Sequence, residues 1–475
     1  MCKIKGDVDN SGKTIQTLSG QGASRPHLLL FFVFLLILGV ERTMANDSVE
    51  ITVDSTVAFQ KIDGMGLSDG PGPQQMASMS RKRREKIYDC LFSDLKISIF
   101  RHRIHVMKDG TCFETEPGKY NINYDPVRLE LLKAAKKRGV ERFMACVWTP
   151  PLRMKTVSTP TGKGRLKKGF REAYCRYLAE YLIRFRTKAG IRFDWLSVQN
   201  EPTVMGVYGC RFSPRGLAEF TKYLQSYLSK RKVSVQLALS DGVGWAKTAQ
   251  YLNPFRKTGD LPFSLVTTHD YKGVKGRTEV LTFVREKKLP LWLTEQCDHR
   301  EIVPHYENGV KWACKVIEDF ELGINAWFHW CFVALDTPKG QKGQKESSGL
   351  ITVYPDKDKY TFPWRYFFLK HFYRNIRPGA VRIRATSNRQ DVKVMGVRDA
   401  DKNRLAVFIV NTGQTSMPVN LKFTQFQKGT VIENVTTERS KYATGRPVTF
   451  GSGDHRTVIA ARSLLCCIVK KGSSK

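Results

Sequence analysis

From residue 61 onward, apolar runs recur along the chain with little polar alternation inside them. The first four are "KIDGMG" (61–66), "KISIFRHRI" (96–104), "RFMACVWTP" (142–150) and "FDWLSVQNEP" (193–202). Four more follow: "SVQLALSDG" (234–242), "SLVTTHDY" (264–271), "LPLWLTEQ" (289–296) and "INAWFHWCF" (324–332). A strand with one wet face alternates apolar and polar residues, so near-continuous runs are read as strands covered on both faces. Between them lie segments with apolar residues at helical spacing, such as 171–190, which ends on a C-terminal glycine, and 215–231. Eight such strands alternating with helices predict a parallel (β/α)8 TIM barrel over residues 61–375.

Beyond residue 376 the pattern shortens and alternates, as in "DVKVMGVRD", "RLAVFIVNTG" and "SLLCCIVKK", with turns between. This predicts an antiparallel β-sandwich over 376–475. The segment "VEITVDSTVAFQ" (49–60) has the same character and is assigned, within 46–60, as the N-terminal strand of that sandwich, so that the barrel is inserted between its two parts.

Residues 1–45 read as a targeting segment. The apolar run "LLLFFVFLLILGV" (28–40) is short of the roughly 20 residues a membrane span needs, basic residues precede it, and "TMA" at 43–45 offers a cleavage site. The expectation is a signal peptide cut after Ala45, with an uncleaved anchor giving a single-pass type II protein as the alternative. Either way the body of the chain lies outside the cytosol, secreted or in the secretory pathway, and touches a membrane only if the anchor is kept.

That location changes how charge and cysteines are read. The net charge is +34, and about +32 without residues 1–45, which points to an anionic partner. Nucleic acid is excluded as that partner by the compartment. Ten cysteines follow Cys2, an even number where disulfides persist, and their spacing shows no metal pattern. The neighbours Cys466 and Cys467 must face opposite ways in a strand. Asn46 and Asn434 sit in glycosylation sequons.

The chemistry is sought where a barrel keeps it, at the C-terminal ends of its strands. The fourth run ends in Asn200 and Glu201, and the seventh ends in Glu295. Asn-Glu-Pro alone also suits an ordinary turn, but two glutamates at those ends face one another across the barrel mouth. Glycoside hydrolysis needs such a pair, one carboxylic acid to protonate the leaving oxygen and one carboxylate to attack the anomeric carbon. No cofactor or metal is needed for it.

The chain resembles the family 30 glycoside hydrolases, which pair a (β/α)8 barrel with a β domain. "VQNEP" is similar to the family's acid/base motif and implies that role for Glu201, with Asn200 bonding the sugar 2-hydroxyl. "LTEQC" is similar to the nucleophile motif and implies that role for Glu295. "SIFRHRI" implies Arg101 beside the nucleophile, "CVWTPPLRMKT" places Trp148 in the sugar pocket, "THDY" contributes His269 and Tyr271, and "WFHWCFVALD" offers Trp330 as a sugar platform. As residue types alone, the two tryptophans also suit the core, Arg101 a buried ion pair and His269 a structural role.

The expected function is a retaining β-glycoside hydrolase acting on a β-linked polysaccharide. Departures from the family bear on the substrate. "GMGLSDGPGPQQM" and Lys108 replace features of the glucosylceramide-cleaving branch, and basic residues crowd two loops: Arg153, Lys155, Lys163, Arg165, Lys167 and Lys168 in one, Lys339, Lys342 and Lys345 in the other. These loops suit either a solvated surface or a groove for an anionic glycan. The alternatives are a glucosylceramidase-type exo-β-glucosidase, an inactive carbohydrate-binding protein and an extracellular binder of acidic polymers.

Overall fold

A computed structural model of the chain describes residues 48–70, 72–205, 208–298, 305–335 and 348–472. The targeting segment, Asn46, Lys339, Lys342 and Lys345 fall outside the described residues. Strand β1 (Val49–Lys61) precedes the barrel. The barrel strands are β2 (Gly64–Ser68), β3 (Ile99–Ile104), β4 (Arg142–Val147), β5 (Trp195–Ser197), β6 (Gln236–Gly242), β7 (Leu265–His269), β8 (Leu291–Glu295) and β9 (Ala326–Trp330). They close on themselves, β9 pairing in parallel with β2 from Ala326 opposite Gly64 to Trp330 opposite Ser68. A helix follows each strand: α1 (Arg81–Tyr88), α2 (Pro126–Lys137), α3 (Arg171–Ala189), α4 (Pro214–Lys230), α5 (Trp245–Leu252), α6 (Arg277–Glu286), α7 (His305–Glu321) and α8 (Trp364–Asn375). Helix α3 ends on Gly190 at φ +67°, the left-handed cap its sequence predicts.

The barrel is filled from within by a layer of Ile99, Met144, Trp195, Ala238, Leu265, Trp292, Ala326 and Phe328, large side chains beside small ones. Gly66 belongs to this fit, because a Cβ there would lie 2.2 Å from the Phe328 ring. The outward faces of the strands pack on the helices, which explains why the strand sequences lack polar alternation.

The second body is a ten-stranded sheet that includes β1. Its other strands are β10 (Val381–Ser387), β11 (Val392–Arg398), β12 (Arg404–Asn411), β13 (Met417–Phe423), β14 (Gly429–Thr437), β15 (Ser440–Thr444), β16 (Val448–Phe450), β17 (Asp454–Ile459) and β18 (Ser463–Lys471). The order along the hydrogen-bonded path is β15-β14-β18-β12-β11-β10-β1-β13-β17, with β16 beside β14. Its two halves share one core of Val49, Ile51, Val407, Leu421, Val469 and their neighbours. Pairing is antiparallel except between β1 and β13, so the sheet is mixed where an antiparallel one was expected. Strand β1 lies between β10 and β13, antiparallel to the first and parallel to the second.

The ten described cysteines are free thiols, against the expectation of disulfides. They are dispersed among separate packing sites. Cys466 packs in the cluster shared with the barrel and Cys467 in the core of the sheet, so the adjacent pair is divided between two cores. Burial pushes the Cys466 thiol up to about 12. Asn434 is buried in β14, its Oδ1 accepting from the Thr444 hydroxyl at 2.8 Å, and it does not present a glycan acceptor on the folded surface. Among the described residues no helix is long and apolar enough to cross a membrane.

Candidate active site

Alternate residues of β3 point into the barrel, Ile99 in the apolar layer and Arg101 above it. The Arg101 guanidinium is 1% exposed and ties four strand ends together. Nη1 donates to Glu295 Oε1 at 2.5 Å and to Ser68 Oγ at 2.6 Å. Nη2 donates to Asn200 Oδ1 at 2.7 Å and to Asp241 Oδ2 at 3.0 Å. Burial alone would lower its pKa, but the Asp241 and Glu295 carboxylates raise it well above the ordinary value. Asp241 is held well below the usual carboxylate range: burial opposes this, and Arg101, His269 and the hydroxyls of Ser197 and Thr294 prevail.

Glu201 follows β5 at φ +41° and Asp241 ends β6 at φ +46°, both in the left-handed region that non-glycine residues rarely occupy. The Glu201 amide donates to the Asp241 carbonyl at 2.9 Å, fixing this turn against the next strand. On the other side, His269 Nδ1 lies 3.0 Å from Glu201 Oε1 and 3.6 Å from Glu295 Oε2. The Tyr271 hydroxyl donates to Glu295 Oε2 at 3.4 Å. Glu295 is 3% exposed, and burial raises its pKa, with the Glu201 charge adding to the rise while His269 and Arg101 oppose it. One atom each from Glu201, His269 and Glu295 lies within 4.8 Å of the others, a spacing that suits a cation as well as a shared substrate.

A cavity of about 620 Å³ opens over these groups. Trp148, Asn200, Glu201, Tyr271, Glu295 and Trp330 line it, so six of the expected site residues meet there, while Arg101 and His269 stand behind the carboxylates. Three features escape the sequence reading. Asp241 is the first, although "SDG" ends the fifth strand where Glu201 and Glu295 end theirs. The second is a wall from the loop after β7 and from α7, where Lys315 Nζ donates to Asp270 Oδ2 at 2.8 Å and to Asp319. Gln296, next to Glu295, donates to Asp319 Oδ2 at 2.9 Å, which joins the wall to the β8 end. The third concerns the basic loop after β4, which does not line the cavity. Arg153 pairs with Glu114, and Lys155 is buried, donating to the carbonyls of Thr159, Thr161 and Gly209. Lys163, Arg165, Lys167 and Lys168 are exposed outside the cavity, and Lys108 is exposed too. The lysines that do line it are Lys272, Lys311 and Lys315.

The model of the O-Glycosyl hydrolase family 30 matches residues 105–259, the stretch that carries Trp148, Asn200, Glu201 and Asp241. Over that stretch the chain resembles glycoside hydrolase family 30. That match and the glycoside hydrolase relatives support a glycosidase. It is 22% identical to glucuronoxylanase XynC of Bacillus subtilis (strain 168) over 467 residues, 94% of this chain and 97% of that one. It is also 22% identical over 425 residues to the Caenorhabditis elegans protein named "Putative glucosylceramidase 2", covering 81% and 80%. The fold superposes on the catalytic domain of GH30 xylanase C from Talaromyces cellulolyticus with a TM-score of 0.74 at 22% identity, over 89% of this chain and 100% of that one.

Proposed function

We propose that the protein is a retaining β-glycoside hydrolase of β-linked polysaccharides, with Glu295 as nucleophile and Glu201 as general acid and base. The observation that carries this reading is the carboxylate spacing. Oxygens of Glu201 and Glu295 lie within 4.8 Å, in keeping with the roughly 5–5.5 Å of retaining pairs and short of the roughly 6.5–9.5 Å that leaves room for an inverting water. Glu295 attacks the anomeric carbon while the glycosidic bond breaks and Glu201 gives its proton to the leaving oxygen. Glu201 then takes a proton from the water that attacks the same carbon, and Glu295 is released. Arg101 opposes the rise that burial gives the Glu295 pKa, and turns the Asn200 amide so that its N–H groups are left for the sugar.

A polymer substrate is supported by the size of the cavity and by the relatives named for xylan. An acidic glycan is favoured by the net charge of +34 and by Lys272 and Lys311 at the cavity, not by the basic loop. The leader would deliver the enzyme outside the cytosol. Exo-cleavage of a glycolipid is the second reading, favoured by the name of the C. elegans relative.

The roles are tested on aryl β-glycosides. Glu295→Gln should abolish turnover, whereas Glu201→Ala should retain it on good leaving groups, and azide should restore the second step. NMR of the first-formed product should show the β anomer; initial release of the α anomer overturns the mechanism. Equal and unrescued loss in both variants overturns the assignment. Hydrolysis products from β-linked polymers and glycolipids then separate the two substrate readings.

A further inference from the structure

Two residues above Arg101 on the same inward face of β3 stands Arg103, roughly 7 Å higher toward the barrel mouth by the rise of a strand. Its side chain lies against two aromatic rings. The guanidinium carbon lies 4.6 Å from the centroid of the Trp148 ring, which lines the cavity, and 5.3 Å from that of Tyr208, on the loop that begins with Glu201. Arg103 is only 8% exposed, its Nε is buried without a partner, and neither Nη donates a hydrogen bond to any described residue.

The surroundings explain why no acceptor is left for it. Two carboxylates are nearby, and Arg128 takes both, donating from Nε to Asp69 Oδ2 at 2.8 Å and from Nη1 to Asp125 Oδ2 at 2.7 Å. His102 and His105 stand 3.5 and 3.4 Å from the same two acids. The cluster is therefore balanced in charge but not in hydrogen bonding. Burial and the Arg128 charge push Arg103 down to about 10, which still leaves it protonated at neutral pH. Buried polar groups normally find partners, and a guanidinium with five N–H donors and no acceptor is costly to keep. Two aromatic faces hold the planar cation without using those donors. The Nη groups are absent from the fully enclosed unpartnered atoms, so they keep some access from outside, next to Trp148 at the edge of the cavity.

We propose that Arg103 binds a carboxylate of the substrate, a uronic acid unit or side group seated beside Trp148. This rests on the glycoside hydrolase reading and narrows it to acidic glycans recognised from the β3 side of the mouth. A guanidinium fork matches the two oxygens of a carboxylate, and the aromatic clamp fixes the plane in which they must approach.

The test compares each of glucuronoxylan, arabinogalactan and hyaluronan with its own carboxyl-reduced form, using full-length wild type and Arg103→Gln. For a polymer that is cleaved, wild type should prefer the acidic form, and Arg103→Gln should lower that preference ratio by about 10- to 100-fold. Arg103→Lys should keep part of it. A wild-type ratio at or below one, or a ratio that Arg103→Gln leaves unchanged, overturns the proposal; in the second case Arg103 serves only to pack Trp148. Calorimetry with uronate oligosaccharides separates this from the reading beneath it. Uronate binding lost in Arg103→Gln, with no turnover of any glycoside by wild type, would overturn the hydrolase mechanism and keep the carboxylate site. Turnover of glycosides without Arg103-dependent uronate binding would do the reverse.

Discussion

Two carboxylates face the same ring nitrogen of His269, and a third, Asp241, stands 3.7 Å from the other. Burial drags the imidazole toward its neutral form, but the Glu295 charge, the Glu201 bond and Asp241 together raise its pKa above the ordinary 6.5. The stabilisation from this proton is complete below pH 6.5 and is lost as pH rises through the raised folded value. Wild type should therefore lose Tm on going alkaline from pH 6.5, and His269→Gln should lose less over the same range. Thermal melts showing equal declines would remove the imidazolium from this role. The geometry around His269 also marks where reading residues from sequence stops. Glu201 and Glu295 were legible because a glutamate closing a buried apolar run is conspicuous. Asp241 was not, because Ser-Asp-Gly reads as a turn, and only the fold puts its carboxylate against an arginine 140 positions away.

The eight barrel strands were legible as elements because burial on both faces leaves runs that no helix or hairpin would produce. Their ends were less so. The fourth run reads as a strand through residue 202, yet β5 stops at Ser197, and the next residues bond to β4 and β6 one at a time, Val198 to the Ala238 carbonyl and Asn200 to that of Val147. The loops above the strands defeat composition altogether. Lys155 sits in a basic stretch that looks solvated, but its ammonium is enclosed by three carbonyls and pins the loop after β4 to the loop after β5, through Gly209. Lys155→Met should free both loops: amide exchange in 155–170 and 208–211 should rise, and stability should fall by about 1–3 kcal/mol in urea. Unchanged exchange in 208–211 would mean that the backbone bonds between the loops, such as Gly209 N–H to the Pro160 carbonyl at 2.9 Å, hold them without the lysine.

Taken as a whole, the molecule carries far more positive charge than its cavity uses. Lys163, Arg165, Lys167 and Lys168 are exposed on the loop after β4 without lining the cavity, and exposed charges are screened beyond about 8 Å at physiological ionic strength. Charge of this kind acts on a long polymer and not on a small substrate. The triple change Arg165→Glu, Lys167→Glu and Lys168→Glu should raise KM for an acidic polysaccharide several-fold and leave kcat/KM for a neutral aryl β-glycoside unchanged. Equal effects on both substrates would count against a role for these residues in polymer capture.

Strand β1 pairs through Ile51 with Ser387 and through Val49 with Val419, with the entire barrel between its ends and its partners. At the pace of a ribosome, about 5–20 residues per second, the roughly 360 residues that separate β1 from the end of β13 take about 20–70 seconds to appear. Until β10 appears, about 36 residues before the end of β13, strand β1 has an apolar face and two open edges, and from then until β13 is made it has one open edge, while the barrel after it already has its own partners. Assembly of this chain thus runs from the middle outward, and β1 is the segment of the nascent protein that most needs shielding from other unpaired strands.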